Sequence, residues 1–256
     1  MNRRVFLAAL MASTRAEKGK ETLDLVINAL GGSNFLNMQN RVETGRAVTL
    51  DRDQLTGLSH SKIYTEYLRP PAPGKLGLHE RQYFGFKQEA SVLFLDGKGW
   101  EINFKGVRPL DTETLERHYL STRHNFFYIL RQRLKEPGIA IELSGHEVVE
   151  NQSADVLDIY DADNEKVTVW VNSFSHLPIR QRWYRREKDT GYRYEELTHF
   201  TKYRQFNGIT WPMDLQRERD GNKVAEIYNE DVKFDQPLKE SIFEAPSEMR
   251  SKKQVR

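Results

Sequence analysis

The feature that most constrains the fold is the alternation of apolar and polar residues across 165–246, broken by short turn motifs. Alternation with a period of two places every second side chain on one face, which predicts half-buried antiparallel strands. Asn207-Gly208 fits a two-residue hairpin, because both central positions of a type I′ turn need positive φ. Short turns of this kind predict that consecutive strands pair as neighbours in a meander.

The same period predicts strands throughout the chain. In the first half they are 46–51, 59–68, 76–86, 91–95 and 100–104. In the second half they are 140–150, 154–161, 166–171, 177–187, 192–206, 209–219 and 224–234. Asp96-Gly-Lys-Gly99 joins two of the first set as a tight turn, since glycine readily adopts positive φ.

Two segments, 18–30 and 111–135, instead show the three- to four-residue apolar spacing of helices. Gly31-Gly32 is expected to end the first, with a short second helix at 34–38. Asp111 is the expected N-cap of the 111–135 helix, which has an apolar stripe and a basic back. We favour its packing against a sheet over its lying on a membrane surface. The predicted class is α+β, mainly β.

Composition excludes several classes of protein. The chain of 256 residues is long enough for one large domain or two small ones, and its net charge of +2 gives no indication of nucleic-acid binding. It contains no cysteine, which excludes disulfides, thiol nucleophiles, cysteine metal sites and lipid attachment at a cysteine.

The amino terminus has the layout of an export signal. Arg3 and Arg4 precede an apolar run over 5–12, and small residues precede a cut after Ala16. We predict a signal peptide at 1–16 and a periplasmic protein, with the general secretory route favoured over the twin-arginine route. The alternative is an amphipathic N-terminal helix. One mature domain is predicted over 17–249, followed by a disordered basic tail at 250–256.

The sequence contains no recognisable catalytic, metal-binding or phosphate-binding motif. The seven histidines lack metal-site spacing, and there is no Gly-x-Ser-x-Gly elbow or phosphate-binding glycine loop. The acidic stretch 155–163 lacks the glycine and terminal glutamate of a calcium loop. We therefore predict no catalytic residues, no metal and no cofactor, and hence no enzyme.

The segment 180–188 is basic with interleaved aromatic residues. We interpret it as a solvated sheet face that pairs across to glutamates on neighbouring strands. The alternative is a surface for nucleic acid or anionic lipid.

Seven apolar residues form the candidate ligand cavity. They are Trp100, Ile102, Phe104, Ile209, Trp211, Met213 and Leu215. Each alternates with polar residues or proline, so the set is expected to face inward. Periodicity does not separate a filled core from a cavity wall for an apolar ligand, and both interpretations stay open.

The second half of the chain also resembles a known family. The similarity lies in 167–172, Leu177-Pro-Ile-Arg180, 203–212, 232–235 and Ile242-Phe-Glu-Ala-Pro246. These segments resemble the periplasmic lipoprotein carriers of the LolA/LolB type and, more closely, the outer-membrane lipoprotein-sorting-like proteins of Gram-negative bacteria. The resemblance implies a strongly curved antiparallel half-barrel with helices across its concave face and a cavity for lipid acyl chains. It assigns no residue of this chain to cargo release.

The expected function is therefore non-enzymatic binding or carriage of an acyl-bearing lipid or a lipoprotein in the periplasm, with peripheral membrane contact at most. The first alternative is an envelope-stress sensor or assembly module that contacts protein partners through a sheet edge or a basic face. The second is an enzyme built on a carrier-like scaffold, which the missing catalytic motifs disfavour.

Overall fold

The computed structural model describes residues 3–69, 75–187 and 189–246. It contains a 13-stranded antiparallel sheet and a few helices, so the mainly β, α+β class is confirmed. In their described parts, unit 1 comprises Met1–Leu36 and His124–Val224, and unit 2 comprises Asn37–Arg123 and Ala225–Arg256. The strong curvature of a half-barrel and the single domain over 17–249 stay predictions.

The helices are short apart from the first. They are α1 (Arg3–Leu30), α2 (Ser33–Asn37), α3 (Thr112–Arg123) and α4 (Phe126–Tyr128), with a π-helix at Ile129–Arg133 and a 3₁₀-helix at Glu240–Phe243. Helix α1 begins at Arg3, well before the predicted start at residue 18. The predicted signal peptide at 1–16 thus overlaps this helix and stays a prediction, and the predicted tail at 250–256 lies outside the described residues.

Unit 2 is an antiparallel meander. Its strands are β1 (Asn40–Asp51), β2 (Gln54–Tyr67), β3 (Leu78–Phe84), β4 (Ala90–Leu95), β5 (Lys98–Asn103), β6 (Gly106–Pro109) and most of β15 (Asn222–Phe234). They follow the order β6-β5-β4-β3-β2-β1-β15. The sequence did not predict β6, which is only four residues long.

Unit 1 holds the remaining strands. They are β7 (Ala140–Val149), β8 (Gln152–Tyr160), β9 (Lys166–Asn172), β10 (Pro178–Arg186), β11 (Arg193–Thr201), β12 (Arg204–Phe206), β13 (Ile209–Trp211) and β14 (Asp214–Arg219). Their order in the large sheet is β14-β11-β10-β9-β8-β7, while β12 and β13 form a separate two-stranded ribbon.

The hairpin turns follow the expected chemistry. Asn207 and Gly208 have φ values of 48° and 81°, and Asp96 and Gly97 have 51° and 79°. Both glycine turns are therefore confirmed. The Arg52–Asp53 turn between β1 and β2 also has positive φ at both residues, although neither is glycine.

Two strands predicted as continuous are interrupted. The predicted strand 209–219 divides into β13 and β14 because Pro212 has no N–H for a sheet ladder. The predicted strand 192–206 divides at Lys202, whose φ is 55°. Both breaks lie beside the β12–β13 ribbon, which carries part of the candidate site.

The predicted helix 111–135 is also interrupted, at His124 and Asn125. Asp111 is the N-cap of α3 as predicted, since its Oδ1 accepts a hydrogen bond from Thr114 N at 2.7 Å. Asn125 caps a new helix, because its Oδ1 accepts from Tyr128 N at 3.2 Å. The break separates α4 and the π-helix from α3.

Each unit has its own buried residues, and both include apolar side chains. In unit 1 an apolar core includes Leu157, Val169 and Phe126, all fully buried. Gly19 allows α1 to approach β7, since a Cβ there would lie 3.0 Å from the Glu142 backbone. In unit 2, Arg41 bonds Glu43 at 2.8 Å in a buried polar network.

Candidate functional site

An aromatic layer occupies the interior of unit 1. It is formed by Phe35 of α2, Phe127 of α4, Phe200 of β11 and Trp211 of β13. The Trp211 ring centroid lies 4.8 Å from that of Phe127 and 6.5 Å from that of Phe35. Phe127 meets Phe200 edge to face at 5.1 Å. Four segments distant in sequence thus share one apolar layer.

Close backbone packing positions α2 over the β12–β13 ribbon. Gly31 follows α1 with φ of 123°, and a Cβ at that position would lie 2.3 Å from the carbonyl oxygen of Gly208. Only glycine satisfies both the positive φ and this approach. The sequence signal at Gly31-Gly32 correctly marked the helix end, but gave no sign of the contact with Gly208.

A buried arginine joins the π-helix to α2. Arg131 is 7% exposed, and its guanidinium Nη1 donates a hydrogen bond to the carbonyl oxygen of Phe35. The same guanidinium lies 5.8 Å from the Phe35 ring centroid. The contact supplies a partner for a carbonyl at the end of a short helix and holds α2 against the aromatic layer.

Gln181 of β10 fixes the start of α4. Its Oε1 accepts from Phe126 N at 2.7 Å, and its Nε2 donates to the His124 carbonyl at 3.1 Å. The His124 ring stacks on Trp183 with centroids 4.3 Å apart. The sequence signal for this contact was a polar residue at a core-facing strand position. Sequence patterning did not identify it.

Tyr203 and Asp158 are among the groups of unit 1 whose pKa values are shifted. Burial raises the pKa of Tyr203 well above its ordinary value, and its hydroxyl donates to the Pro178 carbonyl at 2.8 Å. Burial alone would raise the pKa of Asp158, but hydrogen bonds from Ser144 and Thr168 outweigh it and hold the pKa below 3.8. Both groups therefore form hydrogen bonds within the folded protein.

Comparisons with solved structures identify the architecture. A domain assigned to outer membrane lipoprotein sorting from Vibrio parahaemolyticus has a TM-score of 0.58 at 14% identity, covering 89% of this chain and 97% of its own. A LolA superfamily protein from Nitrosomonas europaea has a TM-score of 0.52 at 13% identity, covering 90% of this chain and 98% of its own.

The chain has a LolA-like fold. A DUF1329 family protein from Desulfovibrio piger is also similar, with a TM-score of 0.59, 15% identity and coverage of 90% of this chain and 98% of its own. No protein-family model and no curated protein sequence matches the chain. The resemblance inferred from sequence is thus confirmed as a likeness of fold.

Three of the seven predicted cavity residues lie together in the LolA-like structure. Ile209, Trp211 and Met213 are 2–3% exposed. Leu215 follows on β14, half-buried and opposite Phe200 of β11. The first three are buried, and their role in ligand binding stays a prediction.

The other three belong to unit 2. Trp100 and Ile102 are half-buried on β5. Phe104 lies beyond the end of β5, in the turn before β6, and is 88% exposed. The prediction that Phe104 faces inward is therefore wrong, because the strand ends one residue before it.

Among the described residues, no three His, Asp or Glu side chains converge as a metal-binding group. The basic strand β10 forms partner contacts as predicted, with Arg182 3.6 Å from Glu195 and Arg185 3.3 Å from Glu196. Arg180 instead lies over the Trp170 ring at 4.3 Å.

Within the described part of the chain, no helix combines the length and apolarity needed to cross a bilayer.

Unit 2 carries an open depression of about 490 Å³. It is lined by Arg46, Leu58, Ser59, His60 and Glu230. Arg46 Nε is 3.2 Å from Glu230 Oε1, and both side chains are more than half exposed. This depression is shallow and partly charged, so it differs in character from the enclosed aromatic layer of unit 1.

Proposed function

We propose that the protein is a non-enzymatic periplasmic carrier that binds the acyl chains of a lipid or a lipoprotein. The LolA-like fold supports the proposal. The observation that carries it is the aromatic layer of unit 1, in which Phe127 contacts Phe35, Phe200 and Trp211, and to which the short helices α2 and α4 contribute a ring each.

The two short helices that carry part of this layer depend on their tertiary contacts. Helix α2 has five residues and α4 has three, so neither is stable without its tertiary contacts. The polar contacts that hold them include those of Arg131 and Gln181. Moving either segment exposes aromatic surface that an acyl chain can cover.

Apolar burial supplies the driving force for such binding. Each methylene group transferred from water to the layer contributes roughly 0.8 kcal/mol before the cost of opening. The polar groups around the layer are engaged in structural hydrogen bonds, as in the Tyr203 hydroxyl donating to Pro178. This arrangement favours binding of a chain over reaction with it.

Quenching of tryptophan fluorescence by a bromine-labelled fatty acid tests the proposal. We expect the fatty acid to quench the native protein, and the quenched fraction to fall in Trp211→Phe, which keeps an aromatic ring in the layer. Trp170→Phe is the matched control, because Trp170 is as buried as Trp211 but lies on the other face of the sheet. Val169 pairs with Gln181 and shares its face, so the next residue, Trp170, faces the opposite way. We expect the quenched fraction to stay unchanged in this variant.

Lipid extraction provides a second readout. We expect mass spectrometry of the gently purified native protein to find co-purifying lipid. A protein that yields no lipid and shows no quenching contradicts the carrier proposal. That result would favour a filled core and an envelope-stress or assembly module that contacts proteins.

A further inference from the structure

Three hairpin turns lie at the same end of the unit 2 meander. Consecutive antiparallel strands alternate in direction, so the β1–β2, β3–β4 and β5–β6 turns share one end. Gly85 N donates to His60 O at 3.0 Å, which sets the β3–β4 turn beside the middle of β2. The β1–β2 hairpin extends beyond it.

Large apolar side chains concentrate at this end. Phe86 is 83% exposed, Phe104 is 88% exposed, and Leu55 and Leu58 are 63% and 62% exposed. Within the described residues of unit 2, every large apolar side chain that is this exposed lies on these hairpins. We call the four residues the hairpin edge. Side chains exposed together in this way mark a contact surface.

Each phenylalanine of the hairpin edge is followed by a lysine. Phe86 precedes Lys87, Phe104 precedes Lys105, and both lysines are exposed. The Lys105 ammonium lies 5.6 Å from the Phe104 ring centroid. A flexible lysine beside an aromatic ring can reach a phosphate while the ring enters the acyl boundary.

The geometry favours a bilayer over a protein groove as the occupant. Phe86 and Phe104 lie in two separate turns and Leu58 lies on β2, so these groups can enter a fluid phase without a complementary rigid surface. The nearby carboxylate of Glu89 lies over its own turn, within 1.9 Å of the position that a Cβ on Gly85 would take. The carboxylate is therefore turned toward its own backbone, although the residue is exposed like the two lysines.

We propose that the hairpin edge docks on the surface of a bilayer that contains anionic phospholipid. Phe86, Phe104 and Leu58 insert at the level of the acyl boundary, and Lys87 and Lys105 contact lipid phosphates. This contact is peripheral and uses unit 2 alone. It is independent of acyl-chain binding in the aromatic layer of unit 1, so either proposal can fail without the other.

Single cysteines give a direct test, because the chain has none. Phe86→Cys and Phe104→Cys are each labelled with an environment-sensitive dye and mixed with phosphatidylcholine vesicles containing phosphatidylglycerol. We expect the emission to shift to the blue at both positions. The matched control is Phe174→Cys, since Phe174 is 84% exposed in a turn of unit 1 flanked by serines. We expect no shift there.

Vesicle flotation measures the energetic contribution. We expect Phe86→Ser combined with Phe104→Ser to weaken binding at least roughly tenfold, and Phe174→Ser to leave it unchanged. Lys87→Ser combined with Lys105→Ser should remove the preference for phosphatidylglycerol and the sensitivity to salt. The proposal is overturned if the native protein does not float, or if position 174 responds as positions 86 and 104 do. Fatty-acid quenching of Trp211, measured without vesicles, reports separately on the carrier proposal.

Discussion

The side chain of Gln181 accepts a hydrogen bond from the backbone N–H of Phe126, with 2.7 Å between Oε1 and N. The same amide donates to the carbonyl of His124. One buried glutamine therefore provides partners for two backbone groups at the break between α3 and α4. Without it, both groups would be buried away from water and unsatisfied.

Gln181→Ala is expected to lower the free energy of unfolding by roughly 2–4 kcal/mol, because each buried group left without a partner costs about 1–3 kcal/mol. Urea unfolding measures the change. Gln205→Ala is the control, since Gln205 is exposed on β12, and it should change stability little. Equal effects of the two variants would contradict the bracing role of Gln181.

Gly31→Ala is expected to destabilise the protein well beyond the cost of its positive φ. The new Cβ would meet the Gly208 carbonyl oxygen at 2.3 Å, so α2 or the β12–β13 ribbon must shift. Gly97→Ala provides the comparison, because Gly97 also has positive φ but no atom within 4 Å of an added Cβ. We expect Gly97→Ala to cost about 1–2 kcal/mol and Gly31→Ala clearly more, by thermal unfolding. Similar costs would show that the approach at Gly31 is not tight.

Arg133→Ala is expected to lower the free energy of unfolding by about 3 kcal/mol, because it removes a buried guanidinium and leaves Asp161, whose side chain is 11% exposed, without its cation. Arg133 is 2% exposed, and its guanidinium lies 3.0 Å from both Asp161 and Glu136. Arg108→Ala should have little effect, since the Arg108–Glu101 pair lies in solvent. Calorimetry of both variants measures the contrast, and a small loss in Arg133→Ala would contradict the structural role of this pair.

Asp158 is expected to make stability depend on acid. Its folded-state pKa lies below the ordinary 3.8, so the folded protein favours the carboxylate. The resulting stabilisation is complete above the ordinary pKa and is lost as pH falls through the lower, folded-state pKa.

Asp158→Asn should therefore be less stable at neutral pH and should lose less stability than the native protein between roughly pH 5 and pH 2. Urea midpoints across that interval measure both slopes. Parallel slopes for the two proteins would show that Asp158 does not carry the acid dependence.

Sequence patterning predicted the elements whose causes are local. The turns at Asp96-Gly97 and Asn207-Gly208 were found because their glycines supply positive φ where the backbone requires it. The turn at Arg52–Asp53 has the same geometry, but its residues are common at other positions and give no such signal.

Elements that depend on distant contacts were predicted less well. The break at Asn125 is held by Gln181, a strand residue of another hairpin, so the apolar spacing of 111–135 could not locate it. Phe104 was assigned inward because alternation gives the face of a strand but not its last residue. Trp211 was correctly placed inside, yet alternation could not reveal that Phe35 and Phe127 contact it.

The pairing of β1 with β15 has a consequence for how the chain folds. Arg41 lies opposite Phe234 and Thr49 opposite Ala225, so the two strands are separated by nearly the whole sequence. During synthesis β1 can pair with β2 early, but its other edge waits until all of the second half has left the ribosome. Unit 2 thus begins to fold early but completes its sheet last. The pairing of β1 with β15 closes the long loop of chain between them, and this closure is expected to be the slow step of folding. Until then the open edge of β1 is the place where a chaperone or a neighbouring chain would attach.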